Sequence, residues 1–290
     1  MIQETTRKII LGMQRAEITE YHVYTNIAKS VKDPKNKAIL ERIGKEEKGH
    51  SELWKRYTHE DIKPDGFKVF WYSLLNRFFG FTFTLKLMEK GEGNASEIYS
   101  AIALEVPEAQ KIAHDEEAHE KSLIALLDEE RLQYVGSMVL GLNDALVELT
   151  GTLAGLSLAL QNTKLIALSG LVTGISATLS MMSSEYLSNR SEGAEHPIKA
   201  ASYTGIMYIV AVTLLVLPYL IFDSQHYLYA LGTMLVVVVL IIFVFTYYVS
   251  VAQDLSFKKR FLEMVTISLS VATIAFIIGL IVKNVLGIEV

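Results

Sequence analysis

Five apolar stretches fill the second half of this chain, at 134–160, 165–187, 202–222, 227–251 and 261–282. Each can cross about 30 Å of hydrocarbon as a helix rising about 1.5 Å per residue. Lipid offers the backbone no hydrogen-bond partners, so such segments must satisfy themselves as helices. Charge follows the same division. Of the 59 Asp, Glu, Lys and Arg residues, residues 1–132 hold 43 and residues 133–290 hold 16. The pattern predicts an all-α protein in two domains: a water-soluble one over 1–132 and a five-span membrane domain over 133–290.

Loop cations orient the spans. Arg190 and Lys199, and Lys258, Lys259 and Arg260, fall in loops on one side. The opposite loops carry Lys164 and, around Asp223 to His226, no Lys or Arg; Lys283 lies in the tail. Cation-rich loops stay in the cytosol. The expectation is a cytosolic N-terminal domain and a C-terminus outside. Residues 1–15 lack the continuous apolar run of a cleavable signal, in keeping with that side.

The chemistry of the first domain is bounded by what it lacks. With no cysteine, disulfides, thiolate zinc, a rubredoxin iron site and Fe–S clusters are excluded. A net charge of −5 gives no sign of a nucleic-acid partner. Any metal must be held by carboxylates and imidazoles, or at most a thioether. Two Glu-x-x-His pairs, Glu47/His50 and Glu116/His119, fit that chemistry, because residues three apart share a helix face. Each falls on an expected helix, at about 34–58 and about 107–130. The first helix, about 3–30, carries Glu17 inside an otherwise apolar stripe and Glu20 one turn on. A buried carboxylate there is costly unless it is paired or bound to metal. A third helix, about 81–103, carries Glu89 and Glu92. Ferrous iron in a four-helix bundle needs inward ligands from every wall, and these four helices supply them. Between the second and third helices, residues 67–80 alternate aromatics with Lys68, Asn76 and Arg77. That segment is too interrupted to span and reads as an amphipathic helix at a membrane surface.

Glu17 followed by Tyr24, then Glu47/His50, Glu89/Glu92 and Glu116/His119, resemble the ligand pattern of rubrerythrin and the wider ferritin-like superfamily over residues 5–130. Glu20 is an additional or alternative ligand. The resemblance implies a four-helix ferritin-like bundle with a di-iron centre. The cysteine-ligated electron-transfer domain of rubrerythrin is missing.

Within the spans, ionisable side chains are few: Asp144 and Glu148 one turn apart on the first, and Glu185 on the second, four residues from Met181. Intramembrane carboxylates are expensive and usually line a polar path. The segments Gly141 to Gly151 and Ser180 to Ser188 resemble the vacuolar iron transporter family. Asp144 and Met181 match its translocation-path aspartate and methionine, and Glu185 a position that is often acidic. The resemblance implies a homodimer with its pore at the subunit interface. Together the halves look like prokaryotic fusions of a ferritin-like bundle with an iron transporter, including the membrane-bound ferritin group of exporters.

The expected function is export of cytosolic Fe2+ across a prokaryotic cell membrane by proton antiport. The bundle captures the ion; Asp144, Glu148, Met181 and Glu185 pass it on. Two competitors remain: a membrane-anchored di-iron ferroxidase or peroxide-consuming enzyme, and an exporter of Mn2+, which the same hard ligands accept.

Overall fold

The computed structural model describes residues 2–91, 95–124 and 133–286. Among these residues there are eleven helices and no strand. The chain divides into two compact units, Met1–Glu129 and Glu130–Val290.

In the first unit, α1 (Glu4–Ser30) and α2 (Pro34–Thr58) form a tightly packed antiparallel pair. The break between them is local chemistry. Asp33 caps α2 by accepting from the Asn36 N–H at 2.7 Å, and Pro34 fills the first helical position, where a missing N–H costs nothing. Next, α3 (Gly66–Phe79) starts on Asp65, whose carboxylate accepts from the Lys68 N–H. The Asp65 N–H donates to Thr19 Oγ1 at 2.9 Å, which pins the start of α3 to α1. Gly80, at φ +88°, makes the turn into α4 (Phe81–Gly91), a backbone conformation that glycine adopts without strain. After it come α5 (Ala95–Ile102) and α6 (Glu108–Ile124). The helix expected over 81–103 is thus represented by α4 and α5. Glu105 accepts from the Gln3 N–H at 2.8 Å and Thr6 Oγ1 at 3.0 Å, placing a carboxylate at the positive end of α1.

The core of this unit comes in two apolar layers. One gathers Val23 and Ile27 of α1, Leu40 and Ile43 of α2, Leu85 and Met88 of α4, and Leu123 of α6. The other gathers Ile10, Trp54, Tyr99, Ile102 and Ile112. Between these positions on α1, α2 and α6 lie Glu17, Glu47/His50 and Glu116/His119. A polar layer is sandwiched between two dry ones.

The second unit comprises α7 (Val135–Leu160), α8 (Thr163–Ser191), α9 (Pro197–Ile221), α10 (Tyr227–Ala252) and α11 (Phe257–Leu286). All five are long and apolar enough to cross a membrane, which makes this an integral membrane protein. Central to the unit is α7, packed against the other four. Its closest crossings are made at glycine. A Cβ on Gly141 would lie 2.3 Å from the Thr204 carbonyl oxygen of α9, and one on Gly279 of α11 would lie 2.6 Å from that of Gly155. Small residues at such crossings let backbones approach where lipid offers no hydrophobic drive.

Candidate metal centre

Three helices bring seven side chains of the first unit together. Glu17 comes from α1, Glu46, Glu47 and His50 from α2, and Asp115, Glu116 and His119 from α6. Glu17 and Glu47 are 2% and 1% exposed. Glu17, Glu47, His50 and Glu116 each offer a ligand atom within 4.8 Å of the others, an arrangement that can hold a metal ion.

The histidines are arranged about a pseudo-twofold. His50 Nδ1 lies 3.3 Å from Glu47 Oε2 and 3.3 Å from Glu116 Oε1. His119 Nδ1 lies 3.0 Å from Glu47 Oε1 and 3.4 Å from Glu116 Oε2. Each carboxylate therefore turns one oxygen toward each ring, as a bridge between two cations would. Glu17 Oε2 adds a third carboxylate on the His50 side, at 3.6 Å. These are ion-pair distances without hydrogen-bond alignment. Glu17 Oε2, Glu47 Oε2, Glu116 Oε1 and both Nδ1 atoms are buried with no hydrogen-bond partner. Five orphaned donor-type atoms aimed at one place fit a metal ion well, since buried polar atoms are otherwise paired.

The outer ring nitrogens are exchanged between helices. His50 Nε2 meets Asp115 Oδ2 of α6 at 3.4 Å, while His119 Nε2 meets Glu46 Oε2 of α2 at 2.7 Å. In each case the acid lies just before the glutamate of the other helix's Glu-x-x-His. A carboxylate on the far nitrogen fixes tautomer and ring orientation and raises ligand basicity. Glu46 is itself held by Arg42 at 3.1 Å, which also donates to Ser122 Oγ. Replacing Asp115 with Asn or Glu46 with Gln is expected to weaken metal binding by about 10- to 100-fold each. Titration of the purified chain with Fe2+ or Mn2+ measures this, and unchanged affinity in both variants would show the exchange to be structural only.

Charge in the cluster is strongly redistributed. Burial raises Glu17 well above the ordinary carboxylate range, with Glu47 and Glu116 adding to it against the lowering effect of His50. Burial works on Glu47 too, but the hydrogen-bonding influence of His119 and His50 wins and brings it to about 2. Burial disfavours the charged histidines; their carboxylate neighbours nonetheless lift His50 to about 12 and His119 to about 10. Trp54 Nε1 and the Tyr99 hydroxyl each donate to Glu17 Oε1 at 3.2 Å, which leaves Oε2 directed at the centre.

Glu20 stands at the edge of this layer, half-buried. Burial raises it, as do the charges of Glu17, Glu47, Glu116 and Glu89, which ties Glu89 to the same field. A cavity of about 220 Å³ is lined by Glu20 together with Arg15, Thr19, Asp65, Lys68 and Tyr72. Glu92 lies outside the described residues.

In the second unit, Asp144 is half-buried on α7, and so are Met181 and Glu185 on α8. Glu185 Oε1 accepts from Ser137 Oγ of α7 at 2.7 Å, and Thr204 of α9 donates to the Ser137 carbonyl at 3.0 Å. Glu148 Oε2 accepts from the Tyr208 hydroxyl at 2.9 Å, yet Glu148 itself is exposed. Asn143, beside Asp144, buries an Oδ1 with no hydrogen-bond partner. Ionisable side chains on helices that can cross a membrane are costly there.

Residues 135–195 match the VIT family. The match takes in Asp144, Glu148, Met181 and Glu185 and does not extend to the first 134 residues. No curated protein and no solved structure matches the chain.

Of the residues singled out in the sequence, the structure brings Glu17, Glu47, His50, Glu116 and His119 together. Sequence reasoning missed Glu46, Asp115, Trp54, Tyr99, Ser137 and Tyr208. The acidic residue preceding both Glu-x-x-His pairs was the available signal for the first two.

Proposed function

We propose that this protein exports Fe2+ from the cytosol, with a ferritin-like bundle collecting the ion and the membrane domain carrying it out. The observation that supports the reading is a buried carboxylate–histidine cluster able to hold a metal in the same chain as acidic side chains on membrane-capable helices inside a VIT-family match. In the bundle, Glu47 and Glu116 would hold the metal between them, with His50 and His119 as the nitrogen ligands. Glu17 would complete the His50 side, Glu20 would meet the hydrated ion at the cavity, and Glu89 and Glu92 are assigned as further ligands on the sequence pattern. Oxygen and imidazole donors suit Fe2+ and also Mn2+.

In the membrane, Asp144 and Met181 receive the ion, with Glu148 and Glu185 as further ligands. Each carboxylate holds a proton or a cation, never both, so a proton gradient drives the ion outward. The exposure of Glu148 supports a second copy: a carboxylate facing lipid is costly, and a homodimer whose α7 helices face each other would cover it. The N-terminus lies in the cytosol and the C-terminus outside, as the loop cations favour.

Reconstituted vesicles test this. The expected result is Fe2+ movement accelerated by an imposed pH gradient, with Mn2+ as competitor ranking the metals. An intact, folded preparation that moves neither ion at any gradient would refute the exporter. The same cluster also supports a second reading, in which the bundle oxidises Fe2+; oxygen consumption on loading distinguishes binding from oxidation.

A further inference from the structure

The exporter reading leaves α3 without a role. Its inner side is accounted for: Leu75 is buried, Val69 and Tyr72 pack on the layer around Val23 and Ile27, and Asn26 and Asn76 make side-chain hydrogen bonds across to Ser73 and Ser30. Its outer side is not polar. Phe67 is 74% exposed, Phe70 62%, Trp71 46% and Phe78 67%. At 100° per residue these four and Leu74 fall within an arc of about 100°. Exposed Lys68 and Arg77 fall on opposite flanks of that arc. Phe67 and Trp71 lie nearly parallel at 6.4 Å. A water-facing surface gains nothing from this aromatic stripe, which is the kind of patch that marks a binding face.

We propose that this face of α3 lies on the surface of the lipid bilayer, aromatics among the upper acyl chains and Lys68 and Arg77 against anionic headgroups. Two observations choose lipid over a protein partner. The same polypeptide carries five membrane-capable helices, so a bilayer is always within tether. The cations border the apolar arc on both sides, the pattern of a helix lying in the interface plane. Lys68 and Tyr72 also line the cavity that holds Glu20, so the helix that meets headgroups also walls the way to the carboxylate layer. The inference does not depend on which ion is carried.

The two tryptophans make the test direct, because Trp54 is wholly buried in the bundle and Trp71 is on the stripe. The full chain is placed in nanodiscs containing phosphatidylglycerol and lipids brominated near the top of the acyl chain. The expected result is quenched, blue-shifted emission from Trp71. Trp71→Phe should remove the quenched component and leave the emission of Trp54. Combined Lys68→Glu and Arg77→Glu changes should reduce the quenching without altering the far-ultraviolet circular dichroism. Trp71 emission insensitive to bromolipid overturns the proposal. So does a blue shift without quenching that depends on protein loading per disc, because a second copy would then cover α3.

Discussion

Replacing Glu47 with alanine is expected to lower the affinity of the bundle for Fe2+ by about a hundred- to ten-thousand-fold, from two charged interactions of about 1.5–3 kcal/mol each at about 1.4 kcal/mol per tenfold. Among the described residues, no other side chain offers one oxygen to each histidine from so buried a position: Oε1 lies 3.0 Å from His119 Nδ1 and Oε2 3.3 Å from His50 Nδ1. The metal-free fold suffers as well. Glu47 is the carboxylate held down to about 2 between two raised histidines. Taking it away strands their charge, a loss of about 3–5 kcal/mol for a buried pair. Because its folded value lies below the ordinary one, its contribution is present above about pH 4.5 and fades as the pH falls toward 2. Glu47→Gln separates the two effects, since it keeps volume and one acceptor. It should unfold at a temperature closer to the parent's and still bind Fe2+ far more weakly. Metal titration and thermal unfolding of the solubilised chain read both quantities. A folded Glu47→Gln protein with parental affinity and stoichiometry would remove Glu47 from the centre.

The parts of this molecule that were legible in the sequence are those set by local spacing. Five spans show themselves by length and apolarity alone, and the start of α2 by Asp33-Pro34. Glu47/His50 and Glu116/His119 are visible because three residues make nearly one turn. Glu17 is visible because a carboxylate in an apolar stripe needs a reason. What stayed hidden depends on the neighbouring helix. Glu46 and Asp115 point away from their own motifs by about 100°, and only the packing of α2 against α6 aims each at the other's histidine. Trp54 and Tyr99 read as ordinary core aromatics until their polar atoms are seen on Glu17. In the membrane half, Ser137 with Glu185 and Tyr208 with Glu148 are partners 48 and 60 residues apart, set by close crossings of α7 with its neighbours. Apolarity on every side of α8 and α9 gave no indication of which face would meet α7.

Loading the bundle at neutral pH is expected to release about two protons per filled centre, and its affinity for Fe2+ to rise by about a hundredfold per pH unit. The protons are on the histidines. With His50 raised to about 12 and His119 to about 10, both rings are imidazolium at pH 7 in the metal-free protein. Their Nε2 atoms face Asp115 and Glu46 and keep their hydrogens when metal binds. The Nδ1 hydrogens face the carboxylates that would ligate the ion, and these must leave before nitrogen can donate to a cation. Raised Glu17 and Glu20 push the same way, since any proton they retain is also displaced. Stability follows with the opposite slope. A histidine raised on folding stabilises the metal-free protein fully below about 6.5 and loses that contribution as the pH climbs through about 10 and then about 12. Alkaline conditions therefore weaken the metal-free fold while strengthening the loaded one, so the rise in unfolding temperature on adding Fe2+ should widen with pH. Calorimetric titration in buffers of different ionisation enthalpy counts the protons directly. A count of zero would mean that the Nδ1 atoms are not ligands. A count near two means that two imidazolium charges hold the carboxylates together until the cation replaces them.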